Sequence, residues 1–166
     1  MKNETENLPD NLQGERRKVA ALLAKAELQE LASFWSNQSE QPQVDVLRGP
    51  ETGLVMVRGR IGGGGAPFNL GETTVTRATV RVSSGASGGT SSEGSVGHSY
   101  TLGRDHEKAR LAAIADALWQ APQSREIVER DLLQKIAQRL DARATQRRRE
   151  AAATKVDFFT MVRGDD

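Results

Sequence analysis

The chain has 166 residues, with 23 Lys and Arg against 22 Asp and Glu, and no Cys. A net charge of +1 with only 4% aromatic residues excludes a strongly electrostatic nucleic-acid binder, and the missing thiols exclude disulfides, thiol catalysis, iron–sulfur clusters and thiolate zinc. His98 and His106 are the only histidines, too few for a multi-histidine metal site within this chain, so no metal is expected.

Residues 1–14 are polar and acidic and read as a disordered leader; they contain no apolar signal-peptide core. From about Glu15 a helical pattern begins, with Val19, Leu22, Leu23, Ala26, Leu31, Phe34 and Trp35 near three- and four-residue spacings. Ser36 to Gln43 ends it. Val44 to Arg48 reads as a short strand, Gly49, Pro50 and Gly53 as a turn, and Leu54 to Ile61 as a second strand. Gly62 to Gly65 with Pro67 breaks that strand and is expected to form a flexible hairpin connection, the alternative being a backbone anion site. Thr73 to Val82 is the third strand, with Thr76, Ala78, Val80 and Val82 on one face and Val75, Arg77, Thr79 and Arg81 on the other. Residues 83–97 are rich in Gly and Ser and read as a flexible loop. His98 to Leu102 is the fourth strand. A helix from about Asp105 carries a stripe of Leu111, Ala112, Ala115, Leu118 and Trp119. After Pro122, with Ser124 as the expected N-cap, a last helix carries Val128, Leu132, Leu133, Ile136 and Leu140.

Strands and helices lie in separate runs, so the expected fold is α+β. It has an antiparallel four-stranded meander, an N-terminal helix, two C-terminal helices and an extended C-terminal tail. The expected organisation is one domain over residues 15–150, followed by a partner-docking tail over residues 151–166. No apolar stretch approaches the roughly 20 residues that span a bilayer, so no membrane association and a cytoplasmic location are expected.

The candidate chemistry is sparse. The glycines at 62–65 are not followed by the Lys-Ser/Thr and helix of a phosphate-binding loop. Seventeen of the cations are Arg, whose planar fork suits phosphate and carboxylate partners. Arg58 and Arg60 share one strand face, and Arg77 and Arg81 share another. If these strands pair, the four guanidinium groups could converge on a polyphosphate or on an acidic partner; the alternative is the wet face of a half-buried sheet. Arg104 precedes a helix whose cap is expected to be Asp105, an unhelpful place for a cation, and it joins the candidate ligand or interface set. His98, Ser99 and Asp105 lack a nucleophile-elbow pattern, and no catalytic residue is expected. The final residues crowd Val156, Phe158, Phe159, Met161 and Val162 together. Such a segment has apolar surface to bury, on its own sheet or on another subunit, with Arg163 in a polar rim.

Four segments carry a family likeness: Glu51 to Val55, Thr76 to Ala78 with Val80 and Arg81, Gly97 to Asp105 (GHSYTLGRD), and Val156 to Asp165 (VDFFTMVRGD). In order and spacing they resemble the PhnG subunit of the bacterial carbon–phosphorus lyase core complex, over about residues 15–166. The Ser/Gly stretch near Ala86 to Val96 looks like an insertion, and the acidic leader is peculiar to this chain. The resemblance implies a non-autonomous, non-catalytic subunit. It would assemble with PhnI above all, with PhnH and PhnJ, and act functionally with PhnL. It also implies the reaction of the assembly, in which methylphosphonate displaces adenine from MgATP to give α-D-ribose 1-methylphosphonate 5-triphosphate. MgATP would be a substrate of the complex, and no cofactor would be bound by this chain. Phe158, Phe159, Met161 and Arg163 would meet the partner. The remaining alternative is a stand-alone Arg-rich protein that binds an anion or a nucleotide.

Overall fold

The structure is a computed structural model that describes residues 10–38, 41–62, 64–83 and 94–154. Two helices come first, α1 (Asp10–Ala24) and α2 (Leu28–Ser36). Three strands follow, β1 (Gln43–Arg60), β2 (Pro67–Ser83) and β3 (Ser95–Leu102). Then come α3 (His106–Gln120) and α4 (Pro122–Val128), a π-helical turn (Glu129–Leu133), and α5 (Gln134–Ala153). The fold is α+β, and the sheet is an antiparallel meander of order β1-β2-β3. The expected four-stranded sheet is therefore corrected to three strands.

The missing strand boundary is the anticipated turn at Gly49, Pro50 and Gly53, through which β1 runs without stopping. Its register against β2 slips between Val46 and Arg48 and again between Arg48 and Glu51. Proline cannot donate to a ladder, so inside a sheet it belongs on an edge strand or in a bulge. Pro50 has both, because β1 is an edge and Pro50 lies within the second slip. Two bulges absorb the turn residues and join two short strands into one of 18 residues.

The N-terminal helix is likewise two helices. It starts at Asp10, earlier than the periodicity indicates, and breaks over Lys25 to Glu27. The backbone N–H of Glu27 donates to Glu30 Oε2 at 2.8 Å and so starts α2. Ala26 within the break is buried. The apolar stripe thus continues across the interruption, which is why spacing alone does not reveal it.

Helix α3 is the centre of the molecule. Its residues Leu111 to Trp119 are buried without interruption, beyond the single stripe expected. It packs on the sheet, whose inward residues are Thr76, Ala78, Val80 and Val82 as the alternation predicts, and α1, α2 and α4 also pack against it. Burial on all faces, with Asp116 the one charged residue in that stretch, is the consequence of being covered on every side. Gly97 makes the closest approach: a Cβ there would lie 1.9 Å from the carbonyl oxygen of Ala113. The last helical run buries Val128, Leu132, Leu133 and Ile136, close to expectation. Pro122 opens this run at its first position, and Ser124 instead donates to the carbonyl of Leu118 at 2.5 Å. No helix among the described residues is long and apolar enough to cross a membrane.

Candidate functional site

Because α3 covers only one side of the sheet, the odd-numbered residues of β2 from Val75 to Arg81 and the even-numbered residues of β3 face away from the core. Register sets Val75 beside Leu102, Arg77 beside Tyr100, and Thr79 beside His98 on this outer face. Thr79 Oγ1 and His98 Nδ1 are 3.0 Å apart. Arg77 donates to Glu51 Oε1 at 2.9 Å, and Glu51 also pairs with Arg48. Hydrogen bonds to Tyr100 and Glu51 hold the Arg77 guanidinium even more firmly protonated than usual. Desolvation pushes the Glu51 carboxyl up, but the hydrogen bond from Arg77 and the charges of Arg48 and Arg77 outweigh it and hold it below the usual range. One carboxylate thus faces two guanidinium groups, so Arg77 is partnered within the chain while the cluster keeps an excess positive charge.

The four strand arginines do not converge. Arg58 stands opposite Asn69, eight residues along β2 from Arg77, a separation on the order of 26 Å. Alternation places Arg58 and Arg60 on the inner side of the sheet and Arg77 and Arg81 on the outer side. Arg81 lies in register with Asp45 and Val96. Arg104 is exposed at the junction before α3 and meets no carboxylate among the described residues. Asp105 caps α3 as expected, accepting from the Lys108 N–H at 2.9 Å. Phe158, Phe159, Met161 and Arg163 lie outside the described residues, as do the leader as far as Pro9 and the loop from residue 84 to residue 93.

The candidate nucleophiles are committed elsewhere. Ser99 is buried on the side opposite His98 and donates to the Ala109 carbonyl at 2.6 Å. Thr52 lies between His106 Nε2 at 2.9 Å and Thr76 Oγ1 at 3.0 Å. The single hydroxyl hydrogen of Thr76 goes to the Gly103 carbonyl at 2.7 Å, so Thr76 accepts from Thr52. Thr52 must then accept from His106, whose Nε2 carries the hydrogen. His106 is thus a donor to Thr52 and cannot be its base in this arrangement. No group of three or more potential metal-ligating side chains occurs among the described residues.

Two features escaped the sequence reading. One is the buried Asp116, held by Arg16 at 2.7 Å and by the His98 backbone N–H at 2.8 Å. Its only signal was an acid set within an Ala- and Leu-rich helix. It lines a cleft of about 700 Å³ between α1, α3 and β3, together with Arg17, His98 and Tyr100. The other is the far half of the β1–β2 hairpin. β3 reaches only as far as the Val75–Leu102 pair, so beyond it two strands continue alone as an arm, exposed on both sides from Leu54 to Arg58 and from Pro67 to Glu72. Alternating Val and Leu signalled a strand there, but not where its third neighbour stops.

Comparison with known proteins gives two matches of direct use. The family model described as Phosphonate metabolism protein PhnG matches residues 14–164. The alpha-D-ribose 1-methylphosphonate 5-triphosphate synthase subunit PhnG of Rhizobium meliloti (strain 1021) is 55% identical over 152 residues, which cover 92% of this chain and 91% of that protein.

Proposed function

The chain belongs to the PhnG family of phosphonate metabolism proteins, and on that premise we propose that it is a subunit of an α-D-ribose 1-methylphosphonate 5-triphosphate synthase. The observation that carries this reading is 55% identity to a named subunit of that synthase across nearly the whole of both chains. In this reading the assembly moves the ribose triphosphate of MgATP onto methylphosphonate and releases adenine, within organophosphonate catabolism. The chain itself contributes structure. The Ser99 and Thr76 hydroxyls are engaged, the strand arginines are spread over two faces of a long sheet, and Arg77 already shares Glu51 with Arg48. Such an arrangement supports an interface role for Arg58, Arg60, Arg77, Arg81 and Arg104 over a triphosphate clamp, which needs converging forks.

The finer reading follows from the family resemblance. PhnI is the main partner, PhnH and PhnJ complete the core, and PhnL acts with them, in the cytoplasm. MgATP is a substrate of the complex, and this chain binds no cofactor. The residues that end the chain, Phe158, Phe159, Met161 and Arg163 among them, dock on PhnI.

The test is reconstitution. With MgATP and methylphosphonate, the isolated chain is expected to release no adenine, the set of subunits lacking it little or none, and the complete set adenine at full rate. Adenine release by this polypeptide alone overturns the reading. A tagged copy lacking residues 156–166 is expected to lose PhnI; equal retention by the truncated and full chains removes the tail from the interface.

A further inference from the structure

The two-stranded arm and the open sheet face behind it are a poor fit to water. An isolated two-stranded ribbon is marginally stable at best, and large contiguous apolar patches are uncommon on monomers. Here Val55, Val57, Leu70 and Phe68 line the outer side of the arm, and the stripe continues onto Leu102 and Tyr100. Leu70 and Leu102 are 61% and 69% exposed. The side assignment follows from the ladder. Val55 and Val57 pair with Thr73 and Gly71. A register slip at Leu70 then turns that side chain over Gly59, where a Cβ would lie 2.6 Å from Leu70 Cδ1.

We propose that this arm and the outer sheet face dock on a different subunit of the synthase, through an apolar ledge edged by Asp and Glu. The proposal rests on the subunit reading above and names the surface that reading leaves open.

Two observations select the occupant. The first is size. β2 has 17 residues and so spans on the order of 55 Å. A ribbon two strands wide gives about 550 Å² on the outer side, and with the inner side of the arm on the order of 800 Å², which is one partner's share of a standard stable interface. The second is charge. The three strands carry five arginines, Arg48, Arg58, Arg60, Arg77 and Arg81, against Asp45, Glu51 and Glu72. A second copy pairing the same face would bring like charges together, whereas a carboxylate-edged partner meets them with opposite charge.

The experiment compares Val57→Glu and Val57→Lys in the full chain, co-expressed with the other synthase subunits. Val57 points to solvent, so both variants are expected to keep the circular dichroism and melting temperature of the isolated wild-type chain. Assembly with the other subunits is expected to weaken on the order of tenfold or more for Val57→Glu and measurably less for Val57→Lys, because lysine extends toward carboxylates. Equal assembly by wild type and both variants overturns the docking surface. A loss as large for Val57→Lys as for Val57→Glu overturns the acidic edge. An isolated chain that sediments as a dimer, and becomes monomeric in either variant, gives the face to a second copy and overturns the proposal. A wild-type chain that joins no synthase subunit ends the subunit reading itself, an outcome distinct from indifference to the two variants.

Discussion

At the scale of single residues, two positions hold the sheet to α3, and both are testable. Asp116 accepts only from donors: Arg16 Nε and Nη2, the His98 backbone N–H and Gln120 Nε2. Removing the carboxylate in Asp116→Ala leaves a buried N–H unpaired and frees Arg16 of its counter-charge, at a cost of about 3 kcal/mol. Asp116→Asn is expected to cost nearly as much, about 2–3 kcal/mol, because the amide turns two hydrogens toward groups that also donate. Urea unfolding of the two variants checks this, and a silent Asn variant refutes the donor-only account. Gly97 is the second position. Its added methyl in Gly97→Ala would strike Ala113 O and the Ala117 backbone nitrogen, 1.9 and 2.6 Å from the ideal Cβ. Backbone cannot yield as a flexible side chain can, so β3 must move off α3, and a loss of about 3 kcal/mol is expected in the same measurement. The sequence marks Gly97 only as the end of a Gly/Ser-rich loop. Its need for a bare backbone arises from a contact with a helix some 16 residues later, which local pattern cannot register.

At the scale of elements, α2 and α5 are clamped by charge as well as by packing. Arg139 donates to both oxygens of Glu30, at 2.7 and 2.9 Å, and its Nη2 also reaches the Lys25 carbonyl at 2.9 Å. The hydrogen bond from Arg139 holds the Glu30 carboxyl below its ordinary value of 4.5, overcoming desolvation, with help from the Glu27 backbone. A depressed folded pKa means the contribution is fully present above the unfolded value and is lost as pH falls through the folded one. Stability is therefore expected to decline below about pH 5, as the unfolded chain begins to take up the proton. Glu30→Gln should be less stable than wild type at pH 7 by about 1–2 kcal/mol, and the gap should narrow at pH values below 4.5. Thermal unfolding of both proteins across pH 3–7 reads this directly, and a gap independent of pH would remove the pair from the account. The same scale shows what pattern could and could not reveal. β2 declared itself, since its alternation was simple and its inward residues are those buried. β1 did not, because Gly49 and Pro50 resemble a turn locally and only pairing with a neighbouring strand turns them into a bulge.

At the scale of the whole molecule, the helices form one consolidated side and the strands an unconsolidated one. Burial is concentrated around α3, while Leu54 and Ile61 of the hairpin remain 64% and 76% exposed. Stability should be graded accordingly, with opening of the arm costing far less than global unfolding. Trypsin supplies a reading of this that needs no substitution. Arg58 and Arg60 lie where only two strands pair, near the hairpin connection containing Gly62 and Gly65, whereas Arg77 and Arg81 lie on β2 between both neighbours. In the isolated chain the arm is expected to be cut after Arg58 or Arg60 well before any cut after Arg77 or Arg81. Adding the partner subunits should slow the arm cuts by about tenfold or more, since docking supplies the missing face and lowers the open population in proportion to occupancy. Cleavage inside Arg77–Arg81 at a rate equal to that of the arm would mean that the sheet opens as one unit. An arm equally susceptible in the assembled complex would mean that it stays in solvent there. The gradient could not be read from composition, because the arm has the Val- and Leu-rich alternation of any half-buried strand. The difference lies in how far β3 extends, which is set at Leu102, where the strand ends and Gly103, in the left-handed region at φ 94°, turns the chain toward α3.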